Sequence, residues 1–552
     1  MRNLIERLCI AGLLLVGFFS AVPMQSAESL SKLTGRVTAA GKPVHDVLVT
    51  DGNRFVKTDA KGCYAFESNK ADGFVYIVTP NNYVARSEDG LTPQFWRELD
   101  KKSRNENHDF ELNYEDQSHA AVLLMSDLHL CNSTKKHDLD NFRKMALPVL
   151  CKTIAEQKAN GPVYTLQLGD FTHDVYWYEF NFNELAGKKF FIDEKYPSLM
   201  YSIPGNHDND GAIRGPHTDR RAEWAYRKAF GPTYYSMNIG GVHWLMLDDV
   251  VYLNTRERGQ TTFKGVGIVG NRNYRAAFTD DEMDWVMKDL AQVDAKTPVR
   301  LCMHIPPIAV SDGMVRFPQK QMDSLYAALK RFGDYRLYNG HLHKMQFLES
   351  SLYPGFTEYV IPALSGNMWE HSDDFQTIGL DGGAAGFVVE HIDNAKMTPQ
   401  FVSIEFPNKL MRIYDMNEVA KYYRNEPLVR KQIEMEPRFP DYAQPQYANQ
   451  LMVNYWFAQP GDKVEAFEGG RPLAVVQQNL EDPLWNMEQY VDKLRRNANI
   501  SYSVSELDTR HIWMVQALTS DSPVTVRVTD SVGKVVAEET VQRPKAFNKD
   551  IK

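Results

Sequence analysis

Cysteine is scarce in this chain: five residues in 552, with no two in CxxC spacing. That excludes a thiolate-based structural metal site. Cys151 and Cys302 lie inside apolar segments and read as small buried residues. A Cys131–Cys151 bridge is conceivable in an oxidising compartment, and nothing in the sequence requires it. No basic block is present and the formal charge is −9, which argues against a general nucleic-acid binder. Beyond the first residues no apolar run is long enough to cross a membrane. Repeats and low-complexity segments are absent. Asp381-Gly-Gly-Ala-Ala-Gly386 is glycine-rich, but it does not lead a strand into a helix, so it is no phosphate loop.

The N-terminus has the three parts of a secretory signal. Arg2 and Arg7 flank the start, Leu8 to Val22 is apolar, and Ser26-Ala27 offers a cleavage point. The apolar run is 15 residues, short of the roughly 20 that a spanning helix needs. A cleaved signal over 1–27 is therefore expected, with export to the periplasm or the extracellular space.

Length calls for more than one core, and the texture changes twice. Over 28–115 short alternating strands are punctuated by Gly41, Gly52 and Gly62, which predicts a small β-sandwich. From 116 to 384 apolar strand runs alternate with amphipathic helical stretches, such as Asp140–Lys158, Asp280–Ala291 and Gln319–Arg331. That alternation predicts an α/β core. Thr279 and Glu282 have capping-box spacing at the second of these helices. From 385 to 552 strands return, interrupted by a helical stretch from Asp482 to Asn497, and a second β-domain is expected.

Five short stretches carry the chemistry: Asp127-Leu-His129, Gly169-Asp170, Gly205-Asn206-His207-Asp208, His304-Ile-Pro306 and Gly340-His341-Leu-His343. Each sits where a strand run gives way to a loop, the edge at which open α/β sheets place ligands. Together they offer Asp127, His129, Asp170, Asn206, His304, His341 and His343. This oxygen and imidazole set suits Fe, Mn, Zn or Co. Seven ligands are too many for one ion and suit two that share a carboxylate. Two ions roughly 3.5–4 Å apart clamp the attacking and leaving oxygens of an in-line displacement, with a bridging hydroxide as nucleophile. Any one stretch alone reads as an ordinary turn; five in series do not.

The order D-x-H, G-D, G-N-H-D, H-x-P, G-H-x-H resembles the calcineurin-like metallophosphoesterase superfamily. The resemblance implies a four-layer α/β/β/α sandwich, here flanked by two all-β domains. It implies that Asp127, His129, Asp170 and His343 hold one metal, and that Asp170, Asn206, His304 and His341 hold the other. His207 would then contact the phosphate and protonate the leaving oxygen, with Asp208 orienting its imidazole. The implied cofactor is a pair of divalent or mixed-valence transition metal ions, Fe, Mn or Zn. The implied activity is hydrolysis of a phosphomonoester or phosphodiester, on a small molecule or a macromolecule. The run Gly35-x-Val37, Gly41-x-Pro43, Val47-x-Val49, Thr58-Asp59-x-x-Gly62-x-Tyr64-x-Phe66 in the N-terminal unit resembles the transthyretin-like, carboxypeptidase-regulatory-like module. The rival class is an exported carbohydrate- or cell-surface-binding protein on a non-catalytic scaffold. Substituted ligands would mark it, and none is substituted.

Substrate contacts are harder to read. Arg214, His217, Arg220 and Arg221 form a loop suited to phosphate, or simply a solvated basic one. Tyr176-Trp177-Tyr178 would stack on a ring-bearing leaving group or pack in the core. Trp369 and His371 are expected to close the pocket rim. His173 and Asp174 would support the site, or belong to a polar loop.

Overall fold

The computed structural model describes residues 30–551 apart from 214–217, 254–260, 264–266, 270–272, 309–316, 372–374 and 497–508. The expected signal segment and two expected substrate contacts, Arg214 and His217, lie outside the described residues.

The N-terminal unit is a β-sandwich. Strand Ser31–Ala39 pairs antiparallel with Cys63–Ser68 and parallel with Phe110–Tyr114. The facing sheet runs Phe55–Lys57, Leu48–Thr50, Phe74–Ile77, Trp96–Glu98. Alternation along Ser31–Ala39 buries Leu33 and Val37 between the sheets. The unit does not hang free. Phe95 meets Tyr235 at 4.6 Å between ring centroids, Phe55 meets Trp285 at 5.6 Å, and Arg227 pairs with Asp72 at 2.7 Å. Gly231 (φ 94°) lies so close under the Trp96 ring that a Cβ there would overlap it.

The middle of the chain forms two sheets packed face to face. The first runs Leu199–Ile203, Val163–Leu168, His119–Met125, Gly386–Asp393, Lys396–Ser403; its first three strands are parallel. The second runs Tyr235–Ile239, Val242–Met246, Val299–Cys302, Tyr335–Asn339, Thr357–Val360, Gln346–Glu349, with four parallel strands inside two antiparallel edges. Helices Leu147–Lys158, Glu184–Asp193 and Trp224–Phe230 cover the first sheet through Leu150, Ile154, Phe190, Phe191, Tyr226 and Phe230. Asp280–Leu290 and Gln319–Leu329 cover the second through Trp285, Val286, Met322 and Leu325. This is the expected four-layer arrangement. Thr279 caps its helix by accepting the Glu282 N–H at 3.2 Å. The Glu282 carboxylate does not complete the box but accepts the Asp248 N–H at 2.8 Å.

The expected boundary at 384/385 falls inside this core. Gly386–Asp393 pairs with His119–Met125, and Lys396–Ser403 follows it in a hairpin. Two strand runs joined by a short turn read the same in either domain, so sequence texture alone assigned them to the wrong partner. The C-terminal unit begins near Met411. Its two four-stranded sheets enclose Ile413, Val453, Val515, Val526 and Val528. Helices Met416–Asn425 and Pro427–Met435, which the sequence reading passed over, join the helix capped by Asp482 on the outer face of one sheet. No described helix is long and apolar enough to cross a membrane.

Candidate metal centre

Parallel pairing puts the carboxyl ends of several strands on one edge. Asp127 follows Met125, Asp170 follows Leu168, Asn206 follows Ile203, His304 follows Cys302 and His341 follows Asn339. The two sheets face each other, so both sets of loops converge on the same space.

Three donor groups form there, one of them His129, His173 and His207; the other two contain carboxylates. Asp127, His129 and His343 make one and Asp170, His304 and His341 the other, the atoms of each group lying within 4.8 Å of one another. Asp170 lies between them: its Oδ2 is 3.2 Å from His304 Nε2 and 3.6 Å from His129 Nε2. Asn206 Oδ1 is 3.1 Å from His304 Nε2, so it faces the second group. Asp127, His129 and His343 thus cluster on one side of Asp170, and Asn206, His304 and His341 on the other.

The donor chemistry fits metal ions. His304 Nδ1 donates to the Leu168 carbonyl at 2.9 Å, and His343 Nδ1 to the Gly366 carbonyl at 2.8 Å. A carbonyl only accepts, so each Nδ1 carries its proton and each Nε2 is left to ligate. His129 Nε2 and His343 Nε2 approach to 2.9 Å, as two lone pairs do around one cation. The carboxylates also draw positive charge. Burial alone would lower the His304 imidazole, but Asp170 and Asp127 outweigh it and hold it at about 10. Burial likewise opposes a charged His343, and Asp127 raises it. Burial raises the Asp170 carboxyl, against the pull of His304.

The backbone is built to this geometry. Asp127, His129, Asp170, His341 and His343 all have positive φ, 54°, 48°, 52°, 69° and 51°, a region that non-glycine residues rarely enter. Gly340 explains its place in the last motif: a Cβ there would overlap Ser126 Oγ and lie 2.5 Å from Asp127 Oδ2.

His207 lies beside the donors, with its ring centroid 4.9 Å from that of His129. Its Nδ1 meets Asp174 Oδ1 at 2.9 Å. The carboxylate that orients His207 is therefore Asp174 and not Asp208. Asp208 is fully buried and accepts the N–H groups of Phe171, Thr172 and Gly205 at 3.1, 2.9 and 2.9 Å. It ties the Asp170 loop to the Asn206 loop. Its position next to His207 in sequence misled, because adjacent side chains in a tight turn point apart. The signal for Asp174 was weak: one acid four residues past Asp170. Asp249 was missed altogether. It accepts the His304 and Ile305 N–H groups at 3.1 and 2.6 Å and fixes that loop, while burial pushes its carboxyl up to about 7 against His304 and these N–H groups.

Trp369 edges a concavity beside the metal centre together with His371, as expected, with little of its own surface open to it. It is 1% exposed, and its Nε1 donates to the Leu128 carbonyl at 2.8 Å. Trp177 is likewise buried, donating to Thr172 Oγ1 at 2.8 Å, while Tyr178 reaches Asp210 at 2.8 Å. Arg220 turns to the N-terminal unit and donates to the Ala71 and Asp72 carbonyls. His173 packs edge-on against His207 at 4.5 Å between centroids.

Two facing sheets with buried Asp, Asn and His donors along one edge define a metal-dependent hydrolase. Family comparison makes this particular. Calcineurin-like phosphoesterase matches residues 120–345, its N-terminal part 31–115 and its C-terminal part 358–535. The chain belongs to the calcineurin-like phosphoesterases, whose members are dimetal enzymes. No curated protein matches it. Among solved structures it is similar to a dimetal phosphatase from Danio rerio, at 12% identity over 51% of this chain and 95% of that one, with a TM-score of 0.31. GAP50, the anchor in the inner membrane complex of Plasmodium, is 11% identical over 52% and 86%, with a TM-score of 0.31. The phosphopantetheinyl hydrolase of Mycobacterium tuberculosis is 14% identical over 44% and 89%, with a TM-score of 0.23.

Proposed function

We propose that this protein hydrolyses phosphate esters, monoesters or diesters, with two transition metal ions and with His207 as general acid. The observation that carries the reading is the position of Asp170 between two His-containing donor groups, with His207 buried against one of them. Asp127, His129, Asp170 and His343 would hold one ion, and Asp170, Asn206, His304 and His341 the other. When bound, such a pair supplies Lewis acidity toward phosphoryl oxygens and lowers the pKa of coordinated water.

The remaining work falls to the chain. Asp174 holds His207 Nδ1, which leaves Nε2 to face the ester and hand its proton to the leaving oxygen. Low exposure at Asp127, His129, Asp170 and His304 lowers the local dielectric and so strengthens their charge interactions. The run Arg2, Arg7, Leu8–Val22 and Ser26-Ala27 supports export as part of this proposal, which N-terminal sequencing of the mature protein tests.

Elemental analysis should find two metals per chain, and an aryl phosphomonoester or aryl phosphodiester should be turned over. His207→Ala should keep its metals and lose about 10²–10⁴-fold in turnover. Fewer than one metal per chain, with no turnover of either ester, would sink the enzyme reading.

A further inference from the structure

Beside the metal centre lies a second concavity, of about 350 Å³, between the catalytic core and the C-terminal unit. Lys135 and Lys136 line it from one loop, Tyr176 from another, Glu370 from a third, and Lys493 and Arg496 from the C-terminal helix. Four cations therefore surround a space into which one carboxylate turns.

The loop bearing the two lysines is pre-set. The Asp138 carboxylate accepts the N–H groups of Cys131, Asn132 and Ser133 at 2.6, 2.8 and 2.6 Å, and Ser133 Oγ accepts those of Lys135 and Lys136 at 3.2 and 3.3 Å. Lys136 is buried. Its Nζ lies 2.9 Å from Glu370 Oε1, donates to the Met368 carbonyl at 3.3 Å and sits 5.4 Å from the centre of the Tyr176 ring. Lys493 donates to Gln489 Oε1. Burial, and then the charges of Arg496 and Lys136, hold its ammonium below the usual range against Glu370 and Glu488. Glu488 is engaged by Arg496 at 3.6 Å. Cations that crowd one another in a concave, partly desolvated space focus a positive field and favour an anion.

The concavity adjoins the chemistry. Tyr176 packs on His173 at 4.9 Å between centroids, and His173 lies 4.5 Å from His207 and 5.2 Å from His129. One loop also serves both spaces. The Gly366 carbonyl takes the proton of the metal-facing His343, while two residues later the Met368 carbonyl receives Lys136. Asn367 donates to Gln489 of the C-terminal unit at 3.0 Å.

The geometry points to an anion subsite that selects phosphate esters carrying a second phosphate, with Lys136, Lys493 and Arg496 as its recognition residues. The inference rests on the phosphoesterase reading and deepens it. It also gives the C-terminal unit a task, since that unit supplies two of the three cations.

The test uses the full-length, metal-loaded protein and alkane-diol bisphosphates of increasing chain length beside the matching alkyl monophosphates. One chain length should show a kcat/KM advantage for the bisphosphate, residing in KM. Lys493→Gln and, at a half-exposed position, Arg496→Gln should each cut the bisphosphate-to-monophosphate ratio about five- to tenfold. A ratio near one at every length, or one that neither variant changes, overturns the proposal. Calorimetric titration with a non-hydrolysable alkane-diol bisphosphonate separates the two readings. Binding that weakens in both variants keeps the subsite even if no ester is turned over, whereas binding indifferent to both removes it even if hydrolysis is brisk.

Discussion

Asp208, next to His207 in sequence, and Asp174, next to it in space, make opposite predictions, and replacing each by its amide separates them. Asp208 accepts three backbone N–H groups and the Thr172 hydroxyl, the last at 3.2 Å, from a fully buried position. An amide offers one acceptor oxygen and one NH₂ donor. In Asp208→Asn, whichever way the amide is turned, its NH₂ group would confront at least one backbone N–H. One charge-assisted bond becomes a donor–donor contact and the others lose their charge, at about 1.5–3 kcal/mol for each bond to a charged group. The cost to the core is then about 3–5 kcal/mol. It falls on the turn that joins Asp170 to Asn206, so metal should be lost with stability.

Asp174→Asn is a different perturbation. The amide oxygen can still accept from His207 Nδ1, so geometry survives and only the charge is removed. Metal content and melting temperature should stay at the wild-type level, while turnover falls roughly 10–100-fold, the usual cost of a lost supporting carboxylate. The assays are metal content after desalting, thermal melting and initial rate on an aryl phosphate. Metal loss in Asp174→Asn, or wild-type melting and full metal in Asp208→Asn, would refute the assignment of roles.

Trp369→Phe removes the bond from Nε1 to the Leu128 carbonyl. It should lower stability by about 1 kcal/mol; wild-type melting would contradict the bond. Gly340→Ala should give a folded chain with depleted metal, since the new methyl falls on Ser126 and Asp127, and full metal occupancy would contradict the packing. Burial raises the Asp381 carboxyl, but His511 and the Met345 and Gly383 N–H groups outweigh burial and hold it below its usual range. Its folded pKa is thus depressed, so its contribution is complete above about pH 4 and is lost as pH falls through the lower folded value. Asp381→Asn should therefore melt below the wild type at pH 7, and the gap should close under acid; a gap independent of pH would count against the pair.

The convergence of these donor residues was legible because each motif packs chemistry into two to four residues at the end of an apolar run, and local order survives folding. What was not legible depends on partners far away in sequence. Gly386–Asp393 is a nearly continuous buried run that could belong to any sheet, and only its pairing with His119–Met125 makes it part of the two-sheet core. Asp208 and Asp174 look alike as acids beside a motif; which one meets His207 is fixed by turn geometry across 33 residues. Trp369 reads as an aromatic near a pocket, and only its bond to Leu128 places it in the interior. The helix Met416–Asn425 was there to be read, since Met416, Val419, Ala420 and Tyr423 are spaced i, i+3, i+4, i+7 and all are buried.

The strained backbone of the centre has a consequence for how it forms. Five of the seven ligand positions sit at positive φ, and such conformations cost of order 1–3 kcal/mol each unless the surroundings over-determine them. The surroundings here come from both sheets: the Asp127 carboxylate accepts the His341 N–H at 2.9 Å, and the Asp127 carbonyl takes the Ser365 hydroxyl at 2.6 Å. No single motif can hold its ligands in place before the opposing sheet has docked. Metal affinity should therefore appear late in folding and vanish with the docking of the sheets rather than with local unfolding of one loop. Refolding followed by metal uptake should show a single binding step coincident with burial of the inter-sheet residue Trp244; tight uptake before that burial would mean that one half-site is competent alone.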